Sequence, residues 1–177
     1  MVTLPKEILQ ILESQQAPER LKRHLELVHE VASVLIDKIT LQWPTLQFDH
    51  VAVLFGAATH DIGKLQCINE IYEKGKEHEE VGYQLLKKLG YTENLARFAR
   101  NHGDWSNPGR NLEELLVSIA DVVWNGIRIN ELEEMVVQRI AERLKTGFWE
   151  IYPDLDSILS AIATGADKRL MYQGGIS

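Results

Sequence analysis

The chain has 177 residues, of which 45% are hydrophobic and 25% charged, and its formal net charge is −7. That length supports one hydrophobic core of ordinary size, and the chain has no run of about 18 apolar residues of the kind that spans a bilayer. The negative balance excludes a general binder of the nucleic-acid backbone, which needs clustered Lys and Arg, and the single cysteine, Cys67, excludes an intramolecular disulfide and a thiolate zinc site.

Residues 1–177 are therefore expected to form a single domain. The N-terminus, MVTLPKEILQ, shows no basic segment followed by an apolar one, so a cytoplasmic location is expected. From Pro18 to Ile39 the apolar residues Leu21, Leu25, Val28, Ala32, Leu35 and Ile39 recur at helical steps, with proline suited to the first turn. His50 to His60 is apolar on most sides and reads as a buried central helix capped by Asp49. Cys67 to Lys76 reads as a solvated, flexible loop because Glu and Lys alternate in it. Helical periods return over Glu77 to Leu89, which stops at Gly90, and over Asn94 to Asn101. GDWSNPGRN is a loop rich in turn formers. Leu112 to Asn125 and Asn130 to Lys145 are helical, the latter beginning at Asn130 as its cap, and Asp154 to Met171 is expected to be the last helix. With no strand pattern and no repeat, the fold class is all-α, a compact helical bundle. Trp149, Ile151 and Tyr152 are apolar residues that could form a homodimer contact or pack under the last helix.

Six histidines occur in the chain. Asp121 interrupts the apolar helix LLVSIADVVW, where an isolated charge needs compensation by a metal ion or by an arginine such as Arg128. His60 and Asp61 end the apolar run GAATHD. Neighbouring helical residues point about 100° apart, so both reach one ion only if the helix ends or bends there, and Gly63 is expected to supply the break.

Read in order, the chain gives Arg23-His24, then HDIGK at 60–64, HEEVGYQLL from His78, a lone His102, and Ala120-Asp121. This constellation resembles the HD-domain superfamily of metal-dependent phosphohydrolases, in its small single-domain bacterial form. It covers about residues 20–130, leaving the first helix and the C-terminal helices of about 130–172 as additions to a bundle of HD-domain type.

The resemblance implies a metal site in which His24, His60, Asp61 and Asp121 hold one ion, while His78 and His102 add a second with Asp61 shared. Imidazole and carboxylate together suit divalent transition metals such as Fe, Mn, Co, Ni or Zn. It further implies hydrolysis of a phosphate ester or anhydride of a small phosphorylated substrate, such as a nucleotide, by metal-activated water. Asp61 and Lys64 are then the catalytic residues, and Lys64, Arg23 and Arg110 the candidates for substrate binding. Glu79 and Glu80 are candidates to orient the His78 ring. No nucleic-acid polymer and no membrane is expected as partner. The HD-GYP subtype fits less well, since ARNHGDWSNPGRN lacks the Gly-Tyr-Pro element. Alternatives on the same ligand pattern are a mixed-valent di-iron oxygenase and a non-catalytic ligand-binding module.

Overall fold

The computed structural model describes residues 3–175. Among them the chain forms nine α-helices and no strand: α1 (Lys6–Ser14), α2 (Glu19–Gln42), α3 (His50–Thr59), α4 (Glu77–Lys88), α5 (Glu93–Asn101), α6 (Leu112–Val123), α7 (Asn130–Leu144), α8 (Phe148–Ala163) and α9 (Ala166–Gln173). No helix of the described residues is long and apolar enough to cross a membrane.

The uniform apolarity of α3 determines where it lies. A helix hydrophobic on all sides has no face to give to water, and α3 accordingly contributes to two separate cores. Val53 and Ala57 join the larger one, built with α2, α6, α7 and α8. Phe55 and Ala58 join the smaller one, built with α1, the start of α2, α4 and α5. Asp49 caps α3 through its carboxylate, which accepts from the Ala52 N–H at 2.9 Å, a contact worth about 1 kcal/mol. At the other end the helix runs out between the two cores, so His60 and Asp61 are buried by the packing on either side.

The turn after α3 is a short 3-10 segment, Ile62–Leu65. His60 keeps helical torsions and Asp61 takes the first step away, at φ −101° and ψ 11°. Gly63 was expected to supply the break in the helix, but the break falls before it and its φ is not positive. Its lack of a side chain is needed for another reason. A Cβ at Gly63 would overlap the His78 carbonyl and come within 2.6 Å of the Gly82 nitrogen, so the glycine lets this turn lie directly on α4. Gly82 makes the same approach from its side, where a Cβ would meet the Gly63 nitrogen at 3.0 Å.

Three other expectations need correction. The last helix, expected over Asp154 to Met171, is two helices: α8 begins before Pro153 at Phe148 and ends at Ala163, and α9 follows Gly165. Proline costs α8 one backbone bond, which burial of Ile151 and Leu155 in the core offsets. Asn130 is the first residue of α7 and not its cap, since the capping position is Ile129 with no side-chain bond. Cys67 to Lys76 is not wholly irregular: Ile68–Ile71 forms a second 3-10 turn. Of the apolar trio near the start of α8, Ile151 is core, whereas Trp149 is 76% exposed.

Gly63→Ala should therefore destabilise the fold by about 2 kcal/mol, an overpacking cost, lowering the thermal midpoint by several degrees. A melting curve matching wild type would show that the close approach of this turn to α4 is not required.

Candidate metal centre

Five elements deliver six side chains to one place. His24 comes from the second turn of α2, His60 and Asp61 from the end of α3, His78 from the first turn of α4, His102 from the end of α5, and Asp121 from α6. They form two adjoining groups, His24 with His60 and Asp121, and Asp61 with His78 and His102.

Asp61 is the hinge between the groups, and its side chain is only 3% exposed. Its Oδ2 lies 3.1 Å from His24 Nε2 and 2.6 Å from the Lys64 ammonium. Its Oδ1 faces the other way, 3.1 Å from His78 Nε2 and 3.5 Å from His102 Nε2. Asp121 Oδ1 lies 3.2 Å from both His24 Nε2 and His60 Nε2. Arg128, the alternative partner for Asp121, is engaged elsewhere, with Glu133 and Asp156.

The backbone fixes how the rings present themselves. His60 Nδ1 lies 3.0 Å from the Ala57 carbonyl, and His102 Nδ1 lies 3.0 Å from the Ala99 carbonyl. A carbonyl only accepts, so each Nδ1 carries the proton and, in the neutral ring, Nε2 presents a lone pair. His78 Nδ1 bonds in the same way to the Glu70 carboxylate. Ser118 Oγ donates to the His102 carbonyl at 2.8 Å, tying the end of α5 to α6.

Those tautomers test whether the residues fit a cation. Three Nε2 lone pairs point at one another and at carboxylate oxygens, with 3.4 Å between the Nε2 atoms of His78 and His102. Asp61 Oδ1 accepts no hydrogen bond of acceptable geometry although it is buried. Acceptor facing acceptor in a buried pocket is unfavourable unless a proton or a metal ion sits between them. The donor set of imidazole nitrogen and carboxylate oxygen is the one divalent transition metals take, so the residues are compatible with divalent metal binding.

Burial and the carboxylate charges act in opposite directions on the rings, and the balance differs from one to the next. Burial pushes the His24 imidazole down, but the hydrogen bonds it donates to Asp121 and Asp61, and their negative charge, outweigh burial and raise its pKa to about 9. Burial lowers that of His60. For Asp61 burial pushes upward, yet His60, His102, His24 and His78 together hold its carboxyl well below the usual range. The Asp121 carboxyl is held low in the same way by His60 and His24.

The group opens on a cleft of about 320 Å³ that His24, Asp61 and Lys64 share with Arg20, Trp124, Asn125 and, from α9, Leu170 and Gln173. Lys64, expected to meet the substrate, is thus in the cleft wall. Arg23 and Arg110 are not. Arg23 points to α9, where its guanidinium donates to the Tyr172 carbonyl at 3.3 Å and lies over the Tyr172 ring. Arg110 is bound to Asp104 at 2.8 Å and lies near Glu114 at the start of α6. Glu79 and Glu80 do not orient His78 either: Glu80 pairs with Arg100. Glu70 does so instead, and its carboxylate also accepts the N–H groups of Glu77 and His78 at 3.1 Å. Sequence reasoning missed Glu70 because it lies in a polar stretch eight residues before its histidine. Arg20 was missed although a signal existed, since it is four residues before His24 and so on the same face of α2.

The chain is an all-helical bundle with a histidine and aspartate cluster at the meeting point of five of its helices. The chain belongs to the HD domain family, which matches residues 18–126 and falls in a superfamily of metal-dependent phosphohydrolases. A tRNA (cytidine(56)-2'-O)-methyltransferase of Picrophilus torridus is 28% identical over 115 residues, 65% of this chain. The chain spans only 30% of that relative's length, and methyl transfer to tRNA is said of that protein alone. No solved structure gives a significant match.

Two outcomes test this geometry. Because the proton on His24 must leave before a metal ion binds there, metal affinity should rise as pH is raised toward about 9. By the same linkage, the stabilisation of the metal-free protein by that proton is complete below the ordinary value of 6.5 and is lost as pH rises through about 9. Calorimetric titration in buffers of different ionisation enthalpy should show proton release at pH 7.5; buffer-independent heats would contradict it. Glu70→Ala should weaken metal binding at the His78 side by about 10- to 100-fold, measured by competition with a chromophoric chelator.

Proposed function

We propose that the chain is a metal-dependent phosphohydrolase cleaving a phosphate ester or anhydride of a small phosphorylated compound, a nucleotide or a related molecule. In this reading His24, His60, Asp61 and Asp121 hold one divalent ion from the group Fe, Mn, Co, Ni and Zn, and Asp61, His78 and His102 hold a second. The observation that carries it is the division of the Asp61 carboxylate, with Oδ2 turned to His24 and Oδ1 to His78 and His102. When bound, the ions supply a water of lowered pKa as nucleophile and stabilise charge on the phosphoryl oxygens.

The chain's own residues do the rest. The carbonyls of Ala57 and Ala99 and the Glu70 carboxylate hold three imidazoles in the ligand tautomer. Lys64, 2.6 Å from Asp61 Oδ2, stands at the edge of the cleft where its ammonium meets a phosphate oxygen without leaving the carboxylate's field. Trp124 packs edge-on against His24 at 5.4 Å between ring centres and keeps water from that side of the imidazole. A cationic cleft wall of Lys64 and Arg20 favours an anionic phosphate over the oxygenase reading. The cleft's volume and the chain's net charge of −7 favour a small molecule over a nucleic-acid polymer.

Elemental analysis of the purified protein should give close to two ions per chain, and Asp61→Ala close to none, with the hydrolysis that wild type shows across a panel of phosphate esters and anhydrides reduced to background. His102→Ala should reduce the metal content toward one. A wild-type protein that is loaded with metal but hydrolyses no phosphate compound, and consumes oxygen instead, would overturn the proposal.

A further inference from the structure

Arg20 is the cationic side chain of the cleft left without an anionic partner. The neighbouring carboxylate, Glu19, is taken by Lys22 at 3.3 Å and Arg23 at 3.8 Å. Lys64 is taken by Asp61, and Arg23 by the Tyr172 carbonyl. Among the described residues no hydrogen bond or ion pair holds the Arg20 guanidinium, which lies 5.8 Å from the centre of the Tyr72 ring. That aromatic face steadies the side chain without satisfying its donors.

Position gives this uncommitted cation a meaning. Arg20 and His24 share the cleft-facing side of α2, four residues apart, which is about 6 Å along the helix axis. Lys64 lines the cleft together with His24 and Asp61 of the cluster, and Arg20 stands one helical turn from His24. The phosphoryl group that reacts is served at the cluster. A guanidinium one turn away, with its planar fork of donors free, is placed for a second anionic group on the same molecule.

From this we infer that Arg20 is a substrate-binding residue that takes a second phosphate, so that the substrate is a phosphoric anhydride or a bisphosphate and not a simple monoester; the inference rests on the phosphohydrolase reading. Arg20 thereby fills the role that sequence pattern assigned to Arg23 and Arg110. Asn125 and Gln173 supply neutral donors and acceptors on the facing walls, and Trp124 and Leu170 supply apolar surface for what the phosphates are attached to.

The test measures binding to the metal-loaded full chain with two probes, methylenediphosphonate, which cannot be hydrolysed, and inorganic phosphate. Wild type should bind the diphosphonate more tightly than phosphate. In R20Q the ratio of the two affinities should fall on the order of tenfold, the loss of a charge-assisted contact, and in R20K by less, since charge is kept and the fork is lost. Metal per chain, measured on the same samples, separates a lost substrate contact from a disturbed cluster. If R20Q and R20K leave the ratio unchanged while wild type binds and hydrolyses phosphate compounds, Arg20 is not the second phosphate's residue and the inference alone fails. If metal-loaded wild type neither binds the probes nor hydrolyses any phosphate compound, the phosphohydrolase reading fails and takes the inference with it.

Discussion

The structure depends on one unfavourable act, the burial of the Asp61 carboxylate at the end of a helix with almost no polar surface. An anion at that depth demands positive charge from its surroundings. The chain answers by bringing four imidazoles and the Lys64 ammonium within reach of the two carboxylate oxygens. Each contributor comes from a different segment, so satisfying Asp61 requires α2, α3, α4, α5 and the turn after α3 to be in place together. The charge at the centre therefore depends on the same packing as the bundle itself.

The supports around this centre are small and indirect. Gly63 and Gly82 hold the turn against α4, and Glu70 joins the start of α4 to the His78 ring. Ser118 fastens the end of α5 to the helix that carries Asp121. None of these touches the open cleft, yet together they decide whether the lone pairs converge. A buried cluster of acceptors has little tolerance for displacement, because each misdirected lone pair faces another acceptor instead of a cation.

Much of this was legible in the sequence, and the limits have physical causes. Helical period and caps recovered α2 through α7 because each of those helices carries an apolar stripe or an uninterrupted apolar run. The last helix was misread because Pro153 is normally a boundary, and local preference gave way to the burial of Ile151 and Leu155. The histidine and aspartate cluster was legible as a pattern because its side-chain types are restricted and recur in a fixed order along the chain. Of the cleft's cations, Lys64 was legible and Arg20 was not. A guanidinium is common on any surface, and its assignment depended on which carboxylates the neighbouring cations had already taken, a three-dimensional fact. Gly63 was read as the break after His60 and Asp61, whereas the helix ends before it and the glycine is needed because a Cβ would strike α4, a contact only the folded chain shows.

The C-terminal helix α9 lies outside the matched family region of residues 18–126, yet Leu170 and Gln173 line the cleft. Its only buried residue is Ala166, so it contributes little to either core. It is fastened mainly by polar contacts: Arg169 donates to the Ile162 carbonyl at 2.7 Å, and Tyr172 donates to Glu26 at 2.7 Å. The cleft wall is thus shared between the matched family region, which contributes Arg20, His24, Lys64 and Trp124, and a helix beyond it. Leu170 and Gln173 belong to neither core, so substitutions there would reshape one wall of the cleft without replacing a residue of the histidine and aspartate cluster or of the packed interior.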